Sequence, residues 1–161
     1  MTEKRPSWDE YFMNLAEQVG KRGTCDRGRC GAVLVKNKLI VSTGYVGAPA
    51  GFPHCDEEGH KINTVVHEDS VESKHCVRTV HAEQNAMCTA AKFGLSIDGS
   101  TLYTLMTPCR ACAMMLINAG IKRVVCKKRY HWSAEPDAIL KNGNVEIDYF
   151  SNELMEYSDQ K

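Results

Sequence analysis

The sequence lacks any uninterrupted run of about 18 apolar residues, the length that a membrane-spanning helix requires. The segment 1–6 is polar and has no apolar stretch of the kind found in secretory signals. We therefore expect no membrane partner and a cytoplasmic protein. Internal repeats and low-complexity segments are also absent, and the 161 residues suit a single domain over 1–161.

An excess of charge of either sign is missing as well, because 20 basic side chains balance 20 acidic ones. Domains that bind duplex DNA or RNA usually carry a basic excess that neutralises phosphates. The balance argues against a nucleic-acid partner, although it stays compatible with a local basic patch. We therefore expect no nucleic-acid partner.

Cysteine, in contrast, is abundant, with eight residues in a chain that we expect to lie in a reducing compartment. In such a compartment, clustered cysteines bind metal or take part in catalysis more often than they form disulfides. Cys88 and Cys126 lie within apolar stretches and are interpreted as small buried hydrophobic residues. The six that remain for chemistry or structure are Cys25, Cys30, Cys55, Cys76, Cys109 and Cys112.

Caps and hydrophobic periodicity predict alternating helices and strands. Ser7 and Glu10 form an S-x-x-E capping box, and apolar residues then recur at helical spacing up to Gly20, which predicts a helix over 8–20. Two β-branched runs, 31–35 and 39–43, predict a hairpin. The remaining predicted elements are helices over 81–93, 109–119 and 138–142 and strands over 101–105, 123–126 and 145–149.

The order of these elements predicts the fold class. A strand, a helix and a strand across 101–126 imply a right-handed crossover and locally parallel pairing. The whole order, α-β-β-α-β-α-β-α-β, predicts an α/β fold with three layers, α/β/α, around a mixed five-stranded sheet.

The segment 44–78 is rich in glycine, proline and polar residues and shows no clean period. A structureless loop of about 30 residues is uncommon in a compact domain and is usually functional or held in place. Bound zinc could hold it, with ordinary loop cysteines and surface histidines as the competing interpretation. The preferred ligands are Cys25, Cys55, His60 and Cys76, with His75 as an alternative to Cys76 and Cys30 as an alternative to Cys25.

Two motifs carry chemistry, His81-Ala82-Glu83 and Pro108-Cys109-Arg110-Ala111-Cys112, and each opens a predicted helix. Cysteines at i and i+3 in a first helical turn point to one side and can share an ion. Helix N-termini also favour thiolate over thiol. One imidazole and two thiolates leave the fourth position of a zinc ion open for water, as catalytic zinc requires. We therefore predict a catalytic zinc on His81, Cys109 and Cys112.

Glu83 lies two residues after His81 and is not needed as a ligand. A carboxylate beside a zinc-bound water can take its proton and later give it to a leaving group, so Glu83 is the predicted catalytic residue. The combination of H-x-E with P-C-x-x-C matches the established signature of zinc nucleobase deaminases. A lone Cys-x-x-Cys could instead be redox-active or part of a structural zinc site, but the paired motifs favour the deaminase.

Beyond these motifs, the chain resembles the deoxycytidylate (dCMP) deaminases of the cytidine deaminase superfamily over roughly residues 7–150. The matching segments are Ser7-Trp8-Asp9-Glu10-Tyr11-Phe12-Met13, Cys30-Gly31-Ala32-Val33, Thr43-Gly44-Tyr45-Val46-Gly47-Ala48-Pro49, His54-Cys55-Asp56, His81-Ala82-Glu83-Gln84-Asn85-Ala86, Pro108-Cys109-Arg110-Ala111-Cys112 and Asn118-Ala119-Gly120-Ile121-Lys122. The resemblance implies hydrolytic conversion of dCMP to dUMP and ammonia, which would supply thymidylate synthesis. It also implies a homo-oligomer, a hexamer or a dimer, and in some members a second zinc.

The resemblance further implies a nucleotide substrate and regulation by dCTP as activator and dTTP as inhibitor. We expect backbone groups at Ala82 and Thr107 to hold the base. Tyr130 should lie near the phosphate, with Lys127, Lys128 and Arg129 nearby. The expected effector residues are Arg27, Arg29, Gly47 and Gly51, with solvated surface charge as the alternative for the two arginines.

One position departs from the family pattern. Val46 stands where the family usually has an asparagine that is expected to contact the sugar. We therefore expect the ribose contact at Val46 to differ from that of the family.

Overall fold

The structure, a computed structural model, describes residues 4–66, 70 and 72–155. The helices are α1 (Trp8–Gly20), α2 (Cys55–Glu58), α3 (Ala82–Lys92), α4 (Arg110–Asn118) and α5 (Ala134–Asn142). The strands are β1 (Gly31–Lys36), β2 (Leu39–Tyr45), β3 (Ile62–Val66), β4 (Glu72–Cys76), β5 (Thr101–Met106), β6 (Arg123–Tyr130), β7 (Glu146–Tyr149) and β8 (Leu154–Met155). Both ends of the predicted domain, 1 and 161, lie outside the described residues.

A mixed sheet forms the middle layer, with the strand order β2-β1-β5-β6-β7 and the short strand β8 paired with β6. β1 pairs antiparallel with β2 and with β5, whereas β5, β6 and β7 run parallel. The parallel pair β5 and β6 is joined through α4, which confirms the crossover predicted across 101–126.

Alternation along the strands divides the core between the two faces of the sheet. Val33 and Val35 pack with Phe12 of α1, whereas Ala32 and Leu34 point to the face covered by α3, α4 and α5. The predicted α/β/α layers around a five-stranded path are therefore confirmed. None of the helices in the described ranges is long and apolar enough to cross a bilayer.

The segment 44–78 differs from its prediction, because it contains α2 and a separate two-stranded hairpin, β3–β4. The side chains of β3 are all exposed. Because neither face of this strand is buried, its sequence shows no alternation of apolar and polar residues from which a strand could have been predicted. The hairpin register places Ile62 opposite Cys76, at the end that joins the rest of the protein.

Three further predictions need correction. Helix α5 begins at Ala134 rather than 138, since Pro136 lies in its first turn, where the missing N–H is tolerated. Cys88 is exposed on α3, so its predicted burial is wrong, whereas Cys126 is buried as expected. β6 also continues to Tyr130, because its last two residues pair with β8.

Candidate active site

The N-terminal end of α3 lies against β2 and carries Glu83, together with His81 just before the helix, into the site. Glycine is required at Gly44, because a Cβ there would lie 2.3 Å from the carbonyl oxygen of Ala82. The Asn85 amide also donates to the carbonyl of Tyr45 at 2.7 Å. The helix start is therefore held directly against the strand.

The three predicted catalytic ligands meet at the starts of two helices. His81 precedes α3, Cys109 precedes α4, and Cys112 lies in the first turn of α4. Their donor atoms all lie within 4.8 Å of one another, and Cys112 Sγ is 3.6 Å from His81 Nδ1. Tetrahedral zinc with bonds of about 2.0–2.3 Å places its ligand atoms roughly 3.3–3.8 Å apart. This cluster therefore fits a zinc ion with one position left for water.

The ionisation of the cluster suits a metal. Hydrogen bonding from Cys112, together with the nearby His81, lowers the pKa of Cys109 to about 4. The shared proton stays on Cys112, whose pKa is raised by its hydrogen bond to Cys109 and by burial. The hydrogen bond between His81 and Cys109 raises the pKa of His81 to about 9. A zinc ion would replace these protons, since it binds thiolate and neutral imidazole.

Glu83 is 5% exposed and lies beside this cluster. One carboxyl oxygen is 4.0 Å from Cys112 Sγ, and the other accepts a hydrogen bond from the Thr104 hydroxyl at 3.3 Å. Burial raises the pKa of Glu83 above its ordinary value. Burial therefore favours the protonated form of this carboxyl more than in an exposed glutamate, which suits a group that holds and passes on a proton.

A cleft of about 450 Å³ opens onto the cluster. The predicted substrate residues Val46, Ala82, Thr107 and Tyr130 all line it. It is also lined by Ser73, Lys74, His75 and Cys76 of β4, together with Arg27. Sequence reasoning did not predict that β4 would line the cleft, because it treated the hairpin as loop.

The basic side chains of the cleft also differ from those expected. Lys127 pairs with Glu17 and Lys128 with Glu153, each at 2.7 Å, and neither lysine lines the cleft. Arg129 points to Asp137 instead. The cations that do line the cleft are Arg27, Lys74 and Arg110.

The expected effector residues are distributed unevenly. Arg27 lines the cleft itself and donates to the carbonyl of Lys74 at 3.0 Å, whereas Arg29, Gly47 and Gly51 do not line it. Gly47 forms a bridge with Val80, which is next to His81, through hydrogen bonds of 3.2 and 2.9 Å. Gly51 has a φ of 83° in an exposed turn.

A second cluster joins Cys25, Cys55, His60 and Cys76, whose donor atoms also lie within 4.8 Å of one another. The distances from Cys25 Sγ to His60 Nδ1 and from Cys55 Sγ to Cys76 Sγ are both 3.6 Å, which fits tetrahedral zinc. The other ring nitrogen of His60 lies 2.9 Å from Asp26, the arrangement by which a carboxylate orients a metal-bound histidine.

The alternative ligands lie elsewhere. His75 Nε2 bonds the Ser73 hydroxyl at 2.7 Å. Cys30 lies 3.5 Å from the Thr104 hydroxyl, and burial raises its pKa to about 12. The structure therefore assembles the preferred four residues and leaves both substitutes out.

Unequal ionisation is a feature of this second cluster as well. Burial raises the pKa of Cys25, and it raises that of Cys55 to about 12. Burial acts the same way on Cys76, but a backbone hydrogen bond from Arg78 and the bond with His60 outweigh it and lower its pKa to about 7.

Comparisons with known proteins agree with these motifs. The family model of the cytidine and deoxycytidylate deaminase zinc-binding region matches residues 6–128. The chain is 34% identical over 145 residues to ComE operon protein 2 of Bacillus subtilis, covering 90% of this chain and 72% of that protein. It is 40% identical over 126 residues to the deoxycytidylate deaminase of Mycobacterium phage D29, covering 77% and 97%.

Among solved structures, the fold is similar to that of the dCMP deaminase from the cyanophage S-TIM5 in complex with dCMP and dUMP. The TM-score is 0.73 at 32% identity, and the match covers 91% of this chain and 99% of the other.

Proposed function

We propose, because this chain belongs to the cytidine and deoxycytidylate deaminase family, that it catalyses the hydrolytic deamination of dCMP to dUMP and ammonia. The observation that carries the proposal is the position of Glu83, a buried carboxyl beside three zinc-ligand side chains at a nucleotide-sized cleft. The phage relative named a deoxycytidylate deaminase, and the similar structure that binds dCMP and dUMP, support this choice of substrate.

The chemistry follows from the residues around the cleft. His81, Cys109 and Cys112 would hold a zinc ion, which supplies Lewis acidity to a water molecule. Glu83 accepts a proton from that water while the water oxygen bonds to C4 of the cytosine ring. Glu83 then passes this proton to N3. Glu83 then moves the remaining hydroxyl proton to the exocyclic nitrogen. The C4–N bond breaks, ammonia leaves, and the ring becomes uracil.

Other residues hold the nucleotide in this proposal. Backbone groups at Ala82 and Thr107 would bind the base, since both residues line the cleft beside the ligands. Arg27 and Lys74 also line the cleft and would attract the 5′-phosphate. Tyr130 also lines the cleft, which supports its predicted role as a contact near the phosphate.

The wild-type enzyme is expected to prefer dCMP over deoxycytidine by about 10² or more in kcat/KM. Each charge-assisted contact to phosphate contributes about 1.5–3 kcal/mol, so two such contacts suffice. A spectrophotometric assay of both substrates measures the ratio. Equal values for the two would refute a nucleotide deaminase and favour a nucleoside enzyme.

CMP provides the companion measurement for the sugar. Val46 lines the cleft and offers no polar side-chain atom to a ribose hydroxyl. Similar kcat/KM values for CMP and dCMP would therefore place the loss of sugar discrimination at Val46, without weakening the preference for a phosphate.

A non-catalytic zinc scaffold is the competing function. Such a protein would need the metal ligands but no buried carboxyl at Glu83, where burial of an acid costs free energy. The 5% exposure of Glu83 next to Cys112 therefore favours the enzyme.

The second cluster is proposed as a structural zinc site. An isolated two-stranded hairpin is marginally stable in water, and β3 has no buried side chain. Cys76 ends β4, so a metal there would join the hairpin to the segments that carry Cys25 and Cys55. Because β4 forms one wall of the cleft, this zinc would also stabilise the substrate site.

Metal analysis of the wild-type protein is expected to find two zinc ions per chain, and Cys55→Ala should lose one of them and unfold at a lower temperature. His75→Ala and Cys30→Ala serve as controls, since neither residue belongs to the cluster, and both should keep two. A single zinc per wild-type chain would contradict the structural site.

Regulation, assembly and location belong to the same proposal. An effector such as dCTP or dTTP that bound around Gly47 would lie one hydrogen-bonded bridge from Val80 and its neighbour His81. This connection supports the effector role of Gly47, and we propose Gly51 and Arg29 as further effector contacts. We further propose a homo-oligomer in the cytoplasm that supplies dUMP for thymidylate synthesis.

A further inference from the structure

A continuous chain of hydrogen bonds leads from the cleft to Tyr149, the last residue of β7, and from there to Asp137 of α5 and Arg129 of β6. The Tyr130 N–H donates to Thr107 Oγ1 at 3.0 Å, and the hydroxyls of Thr107 and Tyr149 lie 3.1 Å apart. The Tyr149 hydroxyl donates to one carboxylate oxygen of Asp137 at 2.6 Å. The guanidinium of Arg129 donates to the other at 2.6 Å. We call this series the Tyr149 chain.

The number of protons that each group can donate fixes which group is the donor in every hydrogen bond of the Tyr149 chain. Asp137 is paired with Arg129 and only accepts. The one hydroxyl proton of Tyr149 is therefore used on Asp137, and its oxygen must accept from Thr107. The hydroxyl of Thr107 in turn donates to Tyr149 and accepts from Tyr130. Burial and the bond with Asp137 raise the pKa of Tyr149, so this hydroxyl keeps its proton at physiological pH.

The surroundings make the Tyr149 chain rigid. Thr107 and Asp137 are 7% and 8% exposed, and the Arg129 guanidinium lies 3.9 Å from the centre of the Tyr149 ring. Hydrogen bonds in such a low-dielectric environment strengthen one another. Removal of a single member leaves another buried polar group without its partner.

The cleft end of the Tyr149 chain touches two residues of the substrate site. Thr107 and Tyr130 both line the cleft, and Thr107 is followed by Pro108 and the ligand Cys109. Tyr149 and Asp137 do not line it. The hydrogen bond that joins Tyr149 directly to a residue of the cleft is therefore the one with Thr107.

We propose that Tyr149 and Asp137 are positioning residues for the reaction, which hold Thr107 and Tyr130 at the separation that seats the pyrimidine nucleotide. This inference rests on the proposed function. It also assigns the Thr107 hydroxyl proton to Tyr149, so the substrate meets the backbone of Thr107 rather than a hydroxyl donor.

The test compares Tyr149→Phe with Tyr103→Phe. Tyr103 also donates to a carboxylate at 2.6 Å, that of Asp9, but it packs with α1 on the opposite face of the sheet. Both variants should unfold at a lower temperature and keep the zinc content of the wild type. Tyr149→Phe alone should lower kcat/KM for dCMP about tenfold, because small displacements in an active site cost that much or more.

Two further variants separate positioning from general weakening. Thr107→Val should reproduce the loss of Tyr149→Phe, and the double variant should lose no more than either single variant, since both break one chain. Thr107→Ser, which retains the hydroxyl, should recover most of the activity that Thr107→Val loses.

The outcomes are distinct. An active wild type with equal kcat/KM for Tyr149→Phe and Tyr103→Phe overturns the inference, as do multiplicative losses in the double variant. A zinc-loaded wild type that fails to deaminate dCMP overturns the proposed function, and the inference with it.

Discussion

Replacing Glu83 by glutamine is expected to lower kcat for dCMP at least about a thousandfold, within the range that general acid–base catalysis contributes. Glutamine has almost the same shape and can still accept the hydrogen bond from Thr104, so the fold and the zinc content should not change. It cannot take a proton from water or return one to N3. The measurement is single-turnover deamination of dCMP by the purified variant.

Glu153→Gln is the matched control, because Glu153 is an exposed carboxylate that pairs with Lys128 away from the cleft. This variant should keep the wild-type rate. A Glu83→Gln protein that retains more than a few per cent of the wild-type rate would show that another group moves the protons.

Cys109→Ala is expected to remove one zinc per chain and to lower activity by a factor similar to that for Glu83→Gln. A metal ion contributes several kcal/mol to such a reaction, and each kcal/mol is worth about fivefold. Zinc analysis by mass spectrometry and the dCMP assay measure both losses on the same sample.

The control for this variant is Cys88→Ala, which removes an exposed cysteine on the outer side of α3. It should keep all zinc and full activity. Cys109→Ala with unchanged zinc and activity would rule out the predicted catalytic site. If Cys109→Ala and Cys55→Ala each lose one ion, the two clusters bind metal independently.

The parts of this protein that the sequence predicts are those that depend on neighbours along the chain. The capping box of Ser7 and Glu10 forms as predicted, and the helix after it ends at Gly20. Cys109 and Cys112 meet because residues three apart share one side of a first helical turn. Their pairing with His81 follows the superfamily motif, which the sequence carries in full.

Long-range packing decided the rest. Cys25 and Cys30 are five residues apart, and only the fold turns Cys25 toward His60 and Cys30 toward Thr104. The tertiary structure also brings Arg27 and Lys74 to the cleft, and Lys74 comes from a hairpin whose first strand is fully exposed.

The Tyr149 chain is the extreme case of this dependence. Its hydroxyls and charges come from α5 and from β6, β7 and the end of β5, and Thr107 and Tyr149 lie 42 positions apart in sequence. No local rule relates such residues, because a hydrogen bond is decided by distance and direction in space. The sequence by itself predicted the proposed reaction centre, since Cys109 and Cys112 share one helical turn and His81 completes the superfamily motif. Only the folded sheet, which places the ends of separate strands side by side, decided what supports that centre.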